Sequence, residues 1–254
     1  MPVSLVTTSL VTTLRAAGCV FAEDEARLLL DTARTPDELD AMVEQRVTGL
    51  PLEHVLGWAE FRGLRIAVDP GVFVPRRRTE FLAEQAAALA QPGSVVLDLC
   101  CGTGAVGATL DGVDLHAADI DPAAVRCARR NVAAVGGRVY EGDLYEPLPD
   151  TLRGRVDVLV ANAPYVPTDA IGLLPPEARE HEARVALDGG TDGLAVQRRV
   201  AAEASDWLAP GGHLLVETSE RQSEQTVDIF VQAELNARVV TCDELDATVV
   251  VGHR

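Results

Sequence analysis

Lysine is absent from this chain of 254 residues; all 22 of its basic side chains are arginine. That excludes Schiff-base chemistry and a lysine general base, both of which need an amine able to lose its proton. Cysteine is sparse and odd in number: Cys19, Cys100, Cys101, Cys127 and Cys242 form no C-x-x-C pair. Neither a disulfide framework nor a zinc site is indicated, and the five read as reduced packing residues. His54 and His181 have no spacing suited to a metal or a catalytic triad, so no metal site is expected. No apolar run approaches the roughly 20 residues of a membrane span. The apolar, threonine-rich stretch from Met1 to Leu14 lacks the basic cluster and small-residue cleavage pattern of a secretory signal. The expectation is a cytoplasmic protein with no membrane partner. Positive charge is in deficit as well, and a net charge of -17 argues against a nucleic-acid partner, whose affinity comes from clustered cations displacing counterions.

What is present is an ordinary globular composition, 47% hydrophobic and 24% charged, in a chain long enough for a large α/β unit with a smaller one attached. Up to Gly57 the pattern is helical. Thr35-Pro36-Asp37-Glu38 supplies a cap, a first-turn proline and acids, and Leu39, Met42, Val43 and Val47 mark one apolar face. From Phe61 alternation takes over, with Leu64, Ile66 and Val68 leading to Asp69-Pro70-Gly71 and then Val72 to Val74, which reads as a linking β-hairpin turning at 69–71. After a helix from Thr79 to about Ala90, strand-like runs alternate with helical ones: Val95 to Leu99, Val113 to Ala118, Val156 to Ala161 and His213 to Thr218. This predicts a mostly parallel sheet with helices on both faces. Ala237 to Cys242 and Thr248 to Val251 lie too close for a helical crossover, so the end of the sheet should be antiparallel. The expected organisation is an N-terminal helical domain (1–57), a linking hairpin (58–77) and a Rossmann-like α/β domain (78–254).

Two segments carry chemistry. The first strand runs directly into Gly102-x-Gly104-x-x-Gly107 and a helix, the context a nucleotide loop requires, although a plain tight turn gives the same pattern. Asp119, ending the next strand, can accept both hydroxyls of a ribose; its other reading is a cap of the helix beyond, a role that Asp121 fits better. These features suit NAD and S-adenosylmethionine alike. Asp98 favours the second, because an acid beside the loop can face a sulfonium and an amino group but repels a pyrophosphate. Asp143 closes the third strand where it can accept an adenine amino proton, or simply make a turn. Cys100, Ile120 and Leu144 border these positions and are grouped with the cofactor site.

The second segment is Asn162-Ala163-Pro164-Tyr165, at the end of the fourth strand, which brings an amide, a backbone carbonyl and an aromatic ring to the sheet edge where ligands collect. Here the sequence resembles the protein-(glutamine-N5) methyltransferases, including those that modify release factors, whose motif is asparagine-proline-proline-tyrosine. The resemblance covers nearly the whole chain, including segments 51–57, 61–75, 174–177, 186–194 and 210–212. It implies a class I methyltransferase fold, S-adenosyl-L-methionine as cofactor, and a protein acceptor presenting a glutamine, such as a release factor. It also implies that Asn162 and Tyr165 hold the substrate amide, with Ala163 and Pro164 completing the motif, and that Gly102, Gly104, Asp119 and Asp143, with Asn162 beside them, hold the cofactor. An amide nitrogen is a poor nucleophile, and acceptors for its N–H groups would stabilise the charge it develops. Asn162 as an ordinary turn residue is the alternative.

Three departures stand out. Ala163 replaces the first proline of the motif, which loosens the backbone of Asn162. Arg77 and Arg78 replace a proline and an acid, which adds positive charge at the expected entrance. The spacing from Gly107 to Asp119 is short, which predicts a clipped helix. Methylation of another amide or of an exocyclic amine, and a cofactor-binding protein without turnover, are the competing readings. Glu177 and Glu217 are expected to be solvated or capping, and Trp58 and Trp207 to be packing residues.

Overall fold

The computed structural model describes residues 3–254; residues 1–2 of the expected N-terminal domain lie outside the described residues. Four helices come first: α1 (Val3–Ala16), α2 (Ala22–Thr32), α3 (Pro36–Val47) and α4 (Leu52–Leu56). Helix α3 starts as its sequence dictates, with the Thr35 side chain accepting from the Glu38 N–H at 3.2 Å and Pro36 in the first turn. These helices pack on a small core of Leu10, Leu14, Ala22, Ala26, Leu29 and Met42. The inner face of α3 differs from the expected one. Val47 is 41% exposed, and Arg46 is buried in the position expected for an apolar residue. The reason is charge: Arg46 Nε and Nη2 donate to the buried Glu25 carboxylate at 2.6 and 3.2 Å, and an acid there requires a cation. Arg46→Ala would leave Glu25 alone in the core and should cost about 3 kcal/mol of stability, measurable by urea denaturation.

Strands β1 (Trp58–Phe61) and β2 (Leu64–Ala67) form an antiparallel hairpin. Its turn is Arg62-Gly63, not Asp69-Pro70-Gly71 as the alternation suggests. Both turn residues have positive φ, 49° and 76°, the twist that a two-residue hairpin demands. The Asp69 segment instead makes a local turn, Val72 N–H to Asp69 O at 3.1 Å, and leads Gly71 into a short parallel bridge with Glu182.

The remaining elements are α5 (Thr79–Leu89), β3 (Val95–Leu99), α6 (Ala105–Ala108), β4 (Asp114–Asp119), α7 (Pro122–Asn131), β5 (Arg138–Glu141), β6 (Val156–Ala161), α8 (Pro176–His181), α9 (Ala195–Trp207), β7 (Leu208–Thr218), α10 (Ser223–Gln232), β8 (Asn236–Cys242) and β9 (Ala247–His253). Seven strands form one sheet in the order β5-β4-β3-β6-β7-β9-β8, parallel throughout except for β9, which runs antiparallel to both of its neighbours. The chain leaves β3 toward β4 on one side and returns to β6 on the other, so the crevice where open sheets bind ligands falls at the carboxyl ends of β3 and β6.

Alternation along the strands divides the core. Leu97, Leu99, Leu159, Leu214 and Val216 face α9 and α10, while Val96, Val158, Val160 and Leu215 face α5 and α6. Trp207 is fully buried at the end of α9. Its ring stacks on Tyr145 with centroids 5.4 Å apart, the Arg153 guanidinium lies 4.4 Å from its centre, and its Nε1 has no hydrogen-bond partner among the described residues. Trp58 is half-buried under the guanidinium of Arg65. No helix of the described residues is long and apolar enough to cross a membrane.

Candidate active site

A cleft of about 460 Å³ opens at the carboxyl edge of the sheet. The loop after β3 shapes its floor. Cys100, Gly102 and Gly104 have φ of 55°, 54° and 73°, so the backbone turns sharply before the four-residue α6, with the Gly104 N–H closing the turn on the Cys101 carbonyl at 2.7 Å. A side chain at Gly102 would meet nothing, because that position faces open space. Gly104 differs, since a Cβ there would press on Val132 and Ala128 of the neighbouring segment at 3.0 and 3.1 Å. It sets packing against α7 and is the one expected site residue that does not line the cleft. Asn131 secures the loop by donating from Nδ2 to the carbonyls of Thr103 and Ala67 while its Oδ1 accepts from the Ala67 N–H. This tie between the glycine loop and the hairpin has no sequence signature.

Three carboxyl groups surround the floor. Asp119 Oδ2 accepts from the Gly102 N–H at 2.8 Å and its Oδ1 from the Asp121 N–H at 2.9 Å. Burial raises its pKa despite those bonds. Asp121 caps α7 by accepting from the Ala123 N–H at 2.8 Å, as expected. Asp98 is 2% exposed, with one long backbone partner, Gly107 N–H at 3.3 Å. Burial pushes its pKa up to about 7, with the Asp119 charge adding to the effect. Asp143 is paired with Arg199 of α9 at 2.9 Å, a lining residue that sequence reasoning missed because the two lie far apart in the chain. Cys100, Ile120 and Leu144 complete this half of the wall. Desolvation and the nearby Asp119 and Asp98 carboxylates raise the Cys100 and Cys101 thiol pKa values, which disfavours their thiolates.

The raised Asp98 pKa has a thermodynamic sign. Between about 4 and 7 the native state holds a proton that the unfolded chain has released, so this group removes stability as pH rises, by on the order of 1 kcal/mol per pH unit, and the loss levels off above about 7. Asp98→Asn abolishes the titration. Its stability relative to wild type should therefore improve steadily from pH 5 to 7 in chemical denaturation, and a constant difference across that range would remove Asp98 as the cause.

The other half of the cleft is built by β6 and its neighbours. Asn162, Ala163, Pro164 and Tyr165 all line it, together with Phe73, Arg76, Arg78 and Thr79 from the hairpin exit and the start of α5. Asn162 Nδ2 donates to Thr79 Oγ1 at 3.2 Å. Tyr165 is largely buried, and burial raises its pKa to about 12, so the phenol stays protonated at neutral pH. Arg76 is held by Glu182, whose carboxylate also accepts from the Val74 N–H at 3.0 Å, and it lies over the Phe73 ring. Arg78 makes no ion pair among the described residues. Glu217 is neither solvated nor a cap: it is 1% exposed and faces the Tyr165 hydroxyl. Its place in the innermost half of β7 buries it. Glu177 lines the cleft and accepts from Arg46 Nη1 at 2.7 Å, joining the helical unit to the rim of the site. His54 is a packing residue whose Nε2 lies 2.8 Å from the Val72 carbonyl.

The family model for the methyltransferase small domain matches residues 63–173, from the hairpin through the glycine loop to the segment after Tyr165. A release factor glutamine methyltransferase of Geobacter sulfurreducens is 40% identical over 209 residues, 79% of this chain and 72% of that protein. A 4-amino-L-phenylalanine/4-methylamino-L-phenylalanine methyltransferase of Streptomyces pristinaespiralis is 37% identical over 201 residues, 74% of this chain and 68% of its own. Among solved structures, a methyltransferase from Pyrococcus furiosus superposes with a TM-score of 0.57 at 15% identity, over 84% of this chain and 96% of that one, which supports the fold alone. The degree and extent of these similarities settle the family: the chain belongs to the release factor glutamine methyltransferases.

Proposed function

We propose that this methyltransferase transfers a methyl group from S-adenosyl-L-methionine to the side-chain amide nitrogen of a glutamine in a cytoplasmic protein acceptor, a peptide chain release factor. The observation that carries the reading is that one cleft holds both an acidic, glycine-floored half and the Asn162–Tyr165 segment.

The residues present fit the cofactor. Asp98 is a buried carboxyl with a single long partner, a costly arrangement that a cationic ligand relieves. Asp119 keeps lone pairs for two ribose hydroxyls beyond those used by Gly102 and Asp121. Asp143, Ile120 and Leu144 would border the adenine, with Arg199 fixing the carboxylate. When bound, S-adenosylmethionine supplies a methyl group on a positively charged sulfur that leaves as a neutral thioether. The chain's own residues do the rest. Asn162 Oδ1 and the Ala163 carbonyl accept the two amide N–H groups, Tyr165 packs on the amide plane, and the nitrogen, once its new bond to carbon has formed, releases its surplus proton to solvent water. Residues 1–57 would hold the acceptor protein, with 58–77 as the link and 78–254 as the catalytic domain. The Arg46–Glu177 pair supports this role, because it ties the helical unit to the cleft rim.

A second reading has its own support. The Streptomyces pristinaespiralis relative is named for an amine on an amino acid, and the unpaired Arg78 at the cleft could meet a substrate carboxylate. Incubating the protein with methyl-labelled cofactor and host extract separates the two. Label in a tryptic peptide as N5-methylglutamine supports the first, and label confined to small molecules overturns it.

A further inference from the structure

Residues 186–194 form one of the segments that resemble the family, and they take no part in the proposed reaction. They are nevertheless laced to the segment that does. The Val166 N–H donates to the Leu187 carbonyl at 3.1 Å, the Gly189 N–H to the Val166 carbonyl at 2.9 Å, and the Thr168 N–H to the Gly190 carbonyl at 2.9 Å. Thr168 Oγ1 adds a bond to Asp188 Oδ1 at 2.7 Å. At the end nearest the site a side chain takes over. Gln222, in the turn before α10, donates from Nε2 to the Tyr165 and Asp192 carbonyls, each at 3.1 Å, while its Oε1 accepts from Ser219 Oγ at 2.6 Å. No other donor meets the Tyr165 carbonyl among the described residues. Where this clamp closes only glycine fits: a Cβ at Gly193 would collide with the Tyr165 carbonyl and the Gln222 amide, and one at Gly189 would lie 2.6 Å from the Pro164 carbonyl oxygen.

We infer that Gln222 is a positioning residue for methyl transfer: it fixes the Tyr165 backbone against the 188–193 loop and so sets where the Tyr165 ring meets the acceptor amide. The inference rests on the reading that this ring packs on that amide. Tyr165 lies beyond β6, whose last residue is Ala161, and Pro164 has no N–H, so the ladder of the sheet does not hold the segment. Ala163 adds a softer backbone position where the family motif has a proline. The hold must come from outside. Gln222 uses everything a neutral side-chain amide has, two N–H donors on two carbonyls and one oxygen on a hydroxyl. Turned over, it would set its oxygen against two other oxygens, so its orientation is fixed as well. One side chain thereby joins the chain at 165, 192 and 219. A misplacement of about 1 Å in a near-attack arrangement costs about a hundredfold in rate. Because residues 1–57 would hold the acceptor protein, loss of the clamp should fall on kcat and not on acceptor KM.

Two readouts on the full-length protein test this. Hydrogen exchange followed by mass spectrometry needs no acceptor. Gln222→Met, close in volume but unable to donate, should speed exchange of the 165–168 amides at least about fivefold and leave those of 98–104 unchanged. Turnover is measured with methyl-labelled cofactor and a purified release factor of the same organism. Gln222→Met should lower kcat about tenfold or more, with acceptor KM and S-adenosylhomocysteine affinity within about twofold of wild type. Gln222→Glu keeps the size and the Ser219 bond but turns an acceptor toward the two carbonyls. It should lose at least as much, and it covers the case in which the methionine variant does not fold. In a Tyr165→Ala background Gln222→Met should cost less than about twofold more, since the clamp acts through that residue.

Unchanged exchange, wild-type kcat, a loss confined to KM or to cofactor affinity, or losses that multiply in the double variant would each overturn the inference. Tyr165→Ala alone separates this outcome from a failure of the underlying reading. If it is slow and Gln222→Met is not, only the positioning role falls; if it turns over normally, the packing of the ring on the amide is itself wrong.

Discussion

Asn162→Ala should lower turnover by roughly a hundredfold or more while leaving cofactor affinity nearly unchanged, the usual cost of removing one hydrogen-bond partner of a transition state. The amide nitrogen of the acceptor is delocalised into its carbonyl and attacks only as that delocalisation is lost. An oxygen fixed against its N–H gains strength as positive charge builds on the nitrogen, so the contact stabilises the transition state more than the ground state. The side chain is restrained from its far end by Thr79, and truncation therefore removes an acceptor already in place. Turnover under saturating conditions, set beside calorimetry with S-adenosylhomocysteine, checks both halves of the expectation. Wild-type turnover would reduce Asn162 to a turn residue. Ala163→Pro is a useful companion. The Ala163 N–H makes no backbone hydrogen bond among the described residues, so proline costs no partner and stiffens Asn162, and activity should hold or rise.

Asp119→Ala should weaken cofactor binding by about 2–3 kcal/mol, close to a hundredfold, through loss of charge-assisted hydrogen bonds to two hydroxyls. The structure adds a second cost. The carboxylate also holds the Gly102 and Asp121 amides, so its loss frees the floor of the cleft as well as the ligand. Calorimetry should accordingly show a larger entropic penalty on binding along with the lower affinity. An affinity within about twofold of wild type would take Asp119 out of the cofactor site.

The central strands were legible because they are buried on both faces and appear as continuous apolar runs of the right length. The clipped α6 could be read from the distance between Gly107 and Asp119 alone. Charge was harder to place. Arg46 and Glu217 look like surface residues in a string of letters, yet Arg46 is buried against Glu25, distant in sequence, and Glu217 is buried by its place near the end of β7, facing the Tyr165 hydroxyl. The hairpin was misplaced by one turn for a local reason: Asp-Pro-Gly is a stronger turn signal than Arg-Gly, yet Arg-Gly is where the chain adopts two successive left-handed residues. The carboxylates at strand ends were visible, but the Arg199 partner of Asp143 and the Asn131 clamp arise only from tertiary contact.

The two tryptophans make this molecule optically convenient. Trp207 lies in the dry core of the α/β unit against Tyr145 and Arg153, and Trp58 lies on the hairpin, half open to water. Their emission should differ in wavelength, blue for the first and redder for the second, and single Trp→Phe replacements would assign each band. Heating or denaturant would then report separately on the sheet and on the hairpin, and a difference between the two midpoints would show how firmly the glycine loop and the link move together.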